Sequence, residues 1–167
     1  MLVFIQYFVL RTEVSTLSNI ICSCFGHRNV YQNIDAQLSA VLEDLIVNKG
    51  VDVFWTGGMG EFDGKFAGTV RGLRLKYPHI SLVLIKPYFS GELNTNKYYY
   101  ETCYDDVCIP DALMGVHPKS AITKRNRWMV DNSNYLVTFV YRDFGGAYDA
   151  KKYAIKQSKT VIELSQK

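Results

Sequence analysis

The sequence predicts a single α/β domain of the doubly wound, Rossmann-like kind, with a mostly parallel sheet and helices on both faces. Short apolar runs alternate with helical patterns along the chain. Residues 80–85 are apolar without alternation, as a strand covered on both faces must be. Three glycine-bearing loops each follow a predicted strand and precede a predicted helix.

The first strand is expected over residues 20–25, broken by Gly26-His27-Arg28-Asn29. A helix follows from about residue 33, because Ile34, Leu38, Val41, Leu42, Leu45 and Ile46 recur at three- and four-residue steps and Gly50 supplies a stop. A second strand over 51–56 leads through Gly57-Gly58-Met59-Gly60 to a helix over about 63–76, with Asp63 as its expected N-cap. Pro87 ends the third strand. Residues 88–105, rich in Tyr, Asn and Gly, read as a long excursion with a short helix near 97–104. A short strand at 106–109, a helix over about 120–132 and a strand at 135–141 come next. Gly145-Gly146 then opens a helix over 147–157, and a last strand covers 160–164.

A length of 167 residues suits one domain, divided here into an extension or extra strand over 1–18 and the α/β domain over 19–167. The apolar start, Met1 to Leu10, lacks a preceding basic region and is too short to span a bilayer, so no membrane association is expected. A net charge of +3 without a concentrated basic face ranks nucleic acid last among partners and favours a small anion. Cys22, Cys24, Cys103 and Cys108 lack C-x-x-C spacing, so no metal is expected. Alternation puts Cys22 and Cys24 on one face of a strand as reduced packing residues, which suits the cytoplasm. The open sheet and the Tyr-rich excursion offer apolar surface for a homo-oligomer.

In a doubly wound sheet, ligands bind beyond the carboxyl ends of the strands, where helix N-termini present unpaired N–H groups. Gly26, Gly57, Gly58, Gly60, Gly145 and Gly146 all fall there, and glycine lets an anion approach the backbone. His27 and Arg28 are candidates for contacting a phosphate, a ribose hydroxyl or a base. Asp63 is a candidate for a ribose hydroxyl as well as a cap. Lys124, Arg125, Asn126 and Arg127 are expected near a helix N-terminus, where cations need a compensating anion; Arg125 and Asn126 are the preferred pair. Lys151, Lys152, Lys156 and Lys159 read as an exposed surface, and Tyr98, Tyr99 and Tyr100 as packing residues. No loop matches G-x-G-x-x-G or the P-loop.

The run Cys24-Phe25-Gly26-His27-Arg28, then Thr56-Gly57-Gly58-Met59-Gly60 with Asp63, then Arg125 to Asp131, then Gly145-Gly146-Ala147, resembles the YpsA-like branch of the SLOG superfamily over about residues 19–165. The resemblance extends to the LOG and DprA Rossmann-like proteins and implies a pocket for a nucleotide or nucleotide derivative, with no bound cofactor. The LOG motif P-G-G-x-G-T-x-x-E is met by Gly145 and Gly146, while Phe144, Tyr148 and Asp149 replace its Pro, Gly and Thr. Arg125 matches the LOG arginine, but Lys152 stands at the catalytic Glu, which favours binding over turnover. A nucleotide hydrolase or N-glycosidase, using Asp63 or Asp149 as its acid, is the alternative. A DprA-like nucleic-acid binder ranks third.

Overall fold

In a computed structural model, residues 18–166 are described; the expected extension over 1–18 therefore falls almost wholly outside them. The strands are β1 (Ile21–Gly26), β2 (Val53–Thr56), β3 (Ser81–Ile85), β4 (Asp106–Cys108), β5 (Tyr135–Phe139) and β6 (Thr160–Glu163). Between them run α1 (Asp35–Lys49), α2 (Glu61–Arg74), the short α3 (Glu92–Thr95) and α4 (Lys97–Cys103), α5 (Pro118–Asp131) and α6 (Gly146–Lys156). Every expected element of the domain forms, with ends that shift by no more than two residues.

The six strands form one sheet in the order β4-β3-β2-β1-β5-β6, and every pairing is parallel. Alternation along each strand sends side chains to two separate cores. Cys22, Cys24, Phe54, Leu82 and Phe139 pack against Leu38, Leu42 and Leu45 of α1 and Phe62 and Phe66 of α2. Phe25, Ile85 and Leu136 face the other side, against Met129 and Val130 of α5 and Ala150 and Ala154 of α6. Trp55 of β2 stacks on Trp128 of α5 with ring centroids 5.0 Å apart, which fixes α5 against the sheet.

α1 ends as its sequence dictates, with Gly50 in the left-handed region at φ 69° and its N–H on the Leu45 carbonyl. Cys22 and Cys24 are buried, and burial pushes both thiols well above the ordinary range, as packing residues require. The lysines of the last helix divide. Lys152 and Lys156 are exposed, whereas Lys151 pairs with Glu163 at 2.6 Å and Lys159 donates to the Asp131 and Ser133 carbonyls. Among the described residues, no helix is long and apolar enough to cross a membrane.

Candidate functional site

The chain leaves β1 toward β2, crosses to β4 at one edge, and returns to β5 on the other side of β1. The connections therefore diverge between β1 and β5, and a crevice opens at their carboxyl ends. A cleft of about 490 Å³ lies there, within the size range of small-molecule sites.

Three loops and one helix wall it: Gly26, His27, Arg28 and Asn29 after β1, Gly57 and Met59 after β2, Tyr141, Arg142 and Phe144 to Ala147 after β5, and Ile122, Arg125 and Asn126 from α5. These include most of the residues singled out in the sequence. Gly58, Gly60, Asp149 and Lys152 do not line it. Asp149 and Lys152 are exposed, and the Lys152 ammonium lies over the Tyr148 ring. Tyr98, Tyr99 and Tyr100 also stay outside the cleft.

Arg125 is 3% exposed. Its Nη1 donates to the Gly57 carbonyl at 3.1 Å and the Ile85 carbonyl at 2.8 Å, and its Nε donates to Asn126 Oδ1 at 2.9 Å. Among the described residues nothing accepts from Nη2, although the guanidinium borders the cleft. Burial lowers the affinity of this group for its proton and the Asp63 charge opposes that shift, so the cation persists. The expected place of Arg125 at a helix N-terminus is corrected: α5 starts at Pro118, capped by His117 Nδ1 accepting from the Lys119 N–H, and Arg125 sits in its middle. The macrodipole does not act there; the packed helix carries the guanidinium under the Gly57 loop.

Asp63 needs a similar correction. α2 begins at Glu61 after Gly60, so Asp63 lies inside the first turn rather than at the N-cap. Its buried carboxylate accepts from the Met59 N–H at 2.7 Å through Oδ2 and from the Cys24 thiol at 3.6 Å through Oδ1. Burial pushes its pKa above the usual carboxylate range, against the pull of the Met59 N–H and the Arg125 charge. Among the described lining residues Asp63 is the one carboxyl, while Arg28, Arg125 and Arg142 are cationic.

Contacts between the loops hold the cleft in shape. The Glu61 N–H donates to the Arg28 carbonyl at 2.9 Å, and Glu61 Oε2 accepts from the Val30 N–H. His27 Nε2 accepts from the Arg142 N–H at 3.1 Å, its ring meets Tyr141 edge-on, and the Tyr141 hydroxyl donates to the Asn29 carbonyl. α6 opens on the cleft with no side-chain cap, and its first intrahelical bond is Asp149 N–H to Gly145 C=O. The N–H groups of Gly146, Ala147 and Tyr148 thus have no helical acceptor.

Arg142 is the charged lining residue that sequence reasoning missed. It lies three residues past the end of β5, as Arg28 lies two past the end of β1, and that position is its signal.

No family model matches the chain, and no curated protein does. Its fold is similar to that of several solved structures. DNA processing protein A from Helicobacter pylori, described with a single-stranded DNA binding mode, superposes with a TM-score of 0.61 at 17% identity. The match covers 89% of this chain and 66% of that one. The structural-genomics target TM1055 gives 0.52 at 14% identity, over 85% and 72% of the two chains. The molybdenum cofactor carrier protein of Chlamydomonas reinhardtii gives 0.50 at 15% identity, over 87% and 76%. The likeness is one of fold, and at that level it agrees with the Rossmann-like α/β arrangement read from the sequence.

Proposed function

We propose that this protein binds the phosphate-bearing part of a nucleotide or nucleotide-derived small molecule in the β1/β5 cleft, as a YpsA-like member of the SLOG superfamily that senses or sequesters its ligand. The observation that carries the reading is the pairing of the buried Arg125, whose Nη2 has no acceptor, with the uncapped N-terminus of α6 across one cleft. A largely buried cation and a helix N-terminus whose first N–H groups lack helical acceptors, both lining one cleft, favour an anion there.

In this reading Gly145 and Gly146 let the anion reach the α6 backbone, and Arg28 and Arg142 add charge at the mouth. Asn126 orients the Arg125 fork, Gly57 leaves room for it, and Asp63 takes a sugar hydroxyl. Gly26 and His27 shape the β1 side, while Gly58 and Gly60 act indirectly through the backbone. The absence of any lining carboxyl but Asp63 among the described residues favours retention of the ligand over hydrolysis. Buried, protonated thiols suit a reducing cytoplasm.

The test uses Gly146→Asp. The position has ordinary backbone geometry and its nearest neighbour, Asn126 Nδ2, is 3.8 Å from an added Cβ. An acidic residue in the first turn favours the helix by about 0.3–1 kcal/mol yet repels an anion. AMP and inorganic phosphate should raise the Tm of the wild type and leave that of Gly146→Asp unchanged, while the ligand-free variant melts no lower. A wild type indifferent to both probes overturns the reading.

A second reading, single-stranded nucleic acid, draws on the likeness to DNA processing protein A and on the exposed Arg28 and Arg142. It requires oligonucleotides to outcompete AMP, with an affinity that falls steeply with salt.

A further inference from the structure

The lining of the cleft carries apolar as well as charged and polar side chains. Arg125 donates to Asn126, whose Nδ2 lies 3.8 Å from where a Cβ on Gly146 at the α6 start would stand, and the Asp63 and Arg125 charges act on each other. Three exposed apolar side chains, Met59 at 39%, Ile122 at 39% and Phe144 at 67% exposure, border the same space. Apolar groups gathered around one cleft, rather than scattered singly, mark a surface that meets something. Phe144 is the most open of the three. The Arg142 guanidinium lies 5.9 Å from the centre of its ring and 5.1 Å from that of Tyr141.

We infer that Phe144 is a stacking platform for the base of the bound nucleotide, and so decides that the ligand is a nucleotide rather than a bare sugar phosphate. The inference rests on the anion reading of α6 and adds to it the chemistry of the other end of the ligand. Phe144 lies two residues before Gly146, so its Cα is within about 7.6 Å of the first residue of α6. That separation is of the order of the distance between a nucleotide's phosphate and its base. The ring stands at an open mouth. A flat heteroaromatic group can cover it while keeping its polar edge in water, whereas an alkyl chain would need an enclosed apolar tube. The Arg142 guanidinium adds a cation to the stack, a contact that favours an electron-rich base. In the LOG pattern this position is Pro, so the platform is a feature of this chain.

The experiment compares AMP with ribose 5-phosphate by isothermal titration on the wild type, Phe144→Ala and Phe144→Tyr. Both substitutions are at an exposed side chain, and unchanged Tm values verify the fold. Phe144→Ala should weaken AMP about tenfold and ribose 5-phosphate by less than about twofold, while Phe144→Tyr retains AMP. Equal losses for both ligands, or no loss for AMP, overturn the platform. A wild type that binds ribose 5-phosphate as tightly as AMP also overturns it and leaves the anion site standing. Failure of the wild type to bind either compound overturns both.

Discussion

The loops after β2 and before α6 border the same cleft, and both contain glycine at positive φ: Gly58 and Gly60 in the first, Gly145 in the second. Their surroundings are opposite. A Cβ on Gly57 would lie 2.6 Å from Arg125 Nη1, one on Gly58 2.8 Å from Leu84 Cδ1, and one on Gly60 2.9 Å from the Arg28 Cα. A Cβ on Gly145 meets nothing within 4 Å, and one on Gly146 meets only Asn126 Nδ2 at 3.8 Å. In the first loop the missing side chains make room for the protein itself; in the second the space beside them is open. Glycine after a strand is one signal in a sequence and two different things in a fold.

The comparison is tested most severely by Gly60→Ala. The residue holds φ 131°, a conformation that L side chains rarely adopt, and the atom in the way belongs to the Arg28 backbone. Strain and overpacking together should cost about 2–4 kcal/mol in urea unfolding. Gly146→Ala should stay within about 0.5 kcal/mol of the wild type, as a substitution in open space does. Comparable losses at the two positions would show that the second loop is also packed for its own sake.

How much of this was legible in the sequence follows the range of the forces involved. α1 could be read from Leu38, Leu42 and Leu45, because burial on one helical face leaves a local period, and from Gly50, because a left-handed stop needs glycine. The meeting of the loops was legible only by way of fold class. β1 and β5 are joined through contacts such as Ile21 N–H to Asn134 Oδ1, 113 residues apart, which no local pattern records. Asp63 reads as a cap because Asp is a good one, yet Gly60 is the N-cap and desolvation, not capping, governs the carboxyl. Arg125 reads as near a helix end because the His117-Pro118 start, with Pro in the first turn and an imidazole as acceptor, resembles loop in sequence. Arg142 and Phe144 carry no local pattern that sets them apart, since their place in the cleft comes from the turn between β5 and α6.

Acid should separate the two loops again, by a smaller amount. The second is tied to β1 by His27 Nε2, which must be unprotonated to accept from the Arg142 N–H. Burial lowers the His27 pKa below its ordinary 6.5, with the Arg142 charge adding to the effect and Glu163 opposing it. A histidine whose folded pKa is depressed contributes stability that is present above about pH 6.5 and lost as pH falls through the lower folded value. The tie on the first loop behaves differently, because protonating Asp63 leaves a carboxyl oxygen that still accepts from the Met59 N–H. Amide exchange should show the protection of Arg142 falling with acid below pH 6.5 while that of Met59 holds. Equal loss at both amides would mean that the loops open as one unit.

The smallest effect, and one of opposite sign, belongs to a third kind of glycine. Gly64, Gly68 and Gly72 are spaced by four along the exposed side of α2, and none has positive φ. An added Cβ would meet nothing within 4 Å at Gly64 and Gly72, and only Arg71 Nη2 at 3.8 Å at Gly68. Neither the protein nor a cleft claims the space, so the backbone freedom of glycine in the unfolded chain is simply lost on folding. Gly68→Ala should therefore stabilise the protein by about 0.5–1 kcal/mol, read as a higher Tm and urea midpoint. That gain sets the zero against which the loops are judged: Gly146→Ala, also in open space at a helix start, should lie near it, and Gly60→Ala far below. Gly145→Ala should fall between them, since its surroundings are open but its φ of 95° is not one that alanine accepts without strain. A loss at Gly68 instead would mean that this face of α2 is covered in solution, and that room beside a glycine does not by itself mark a place left for a ligand.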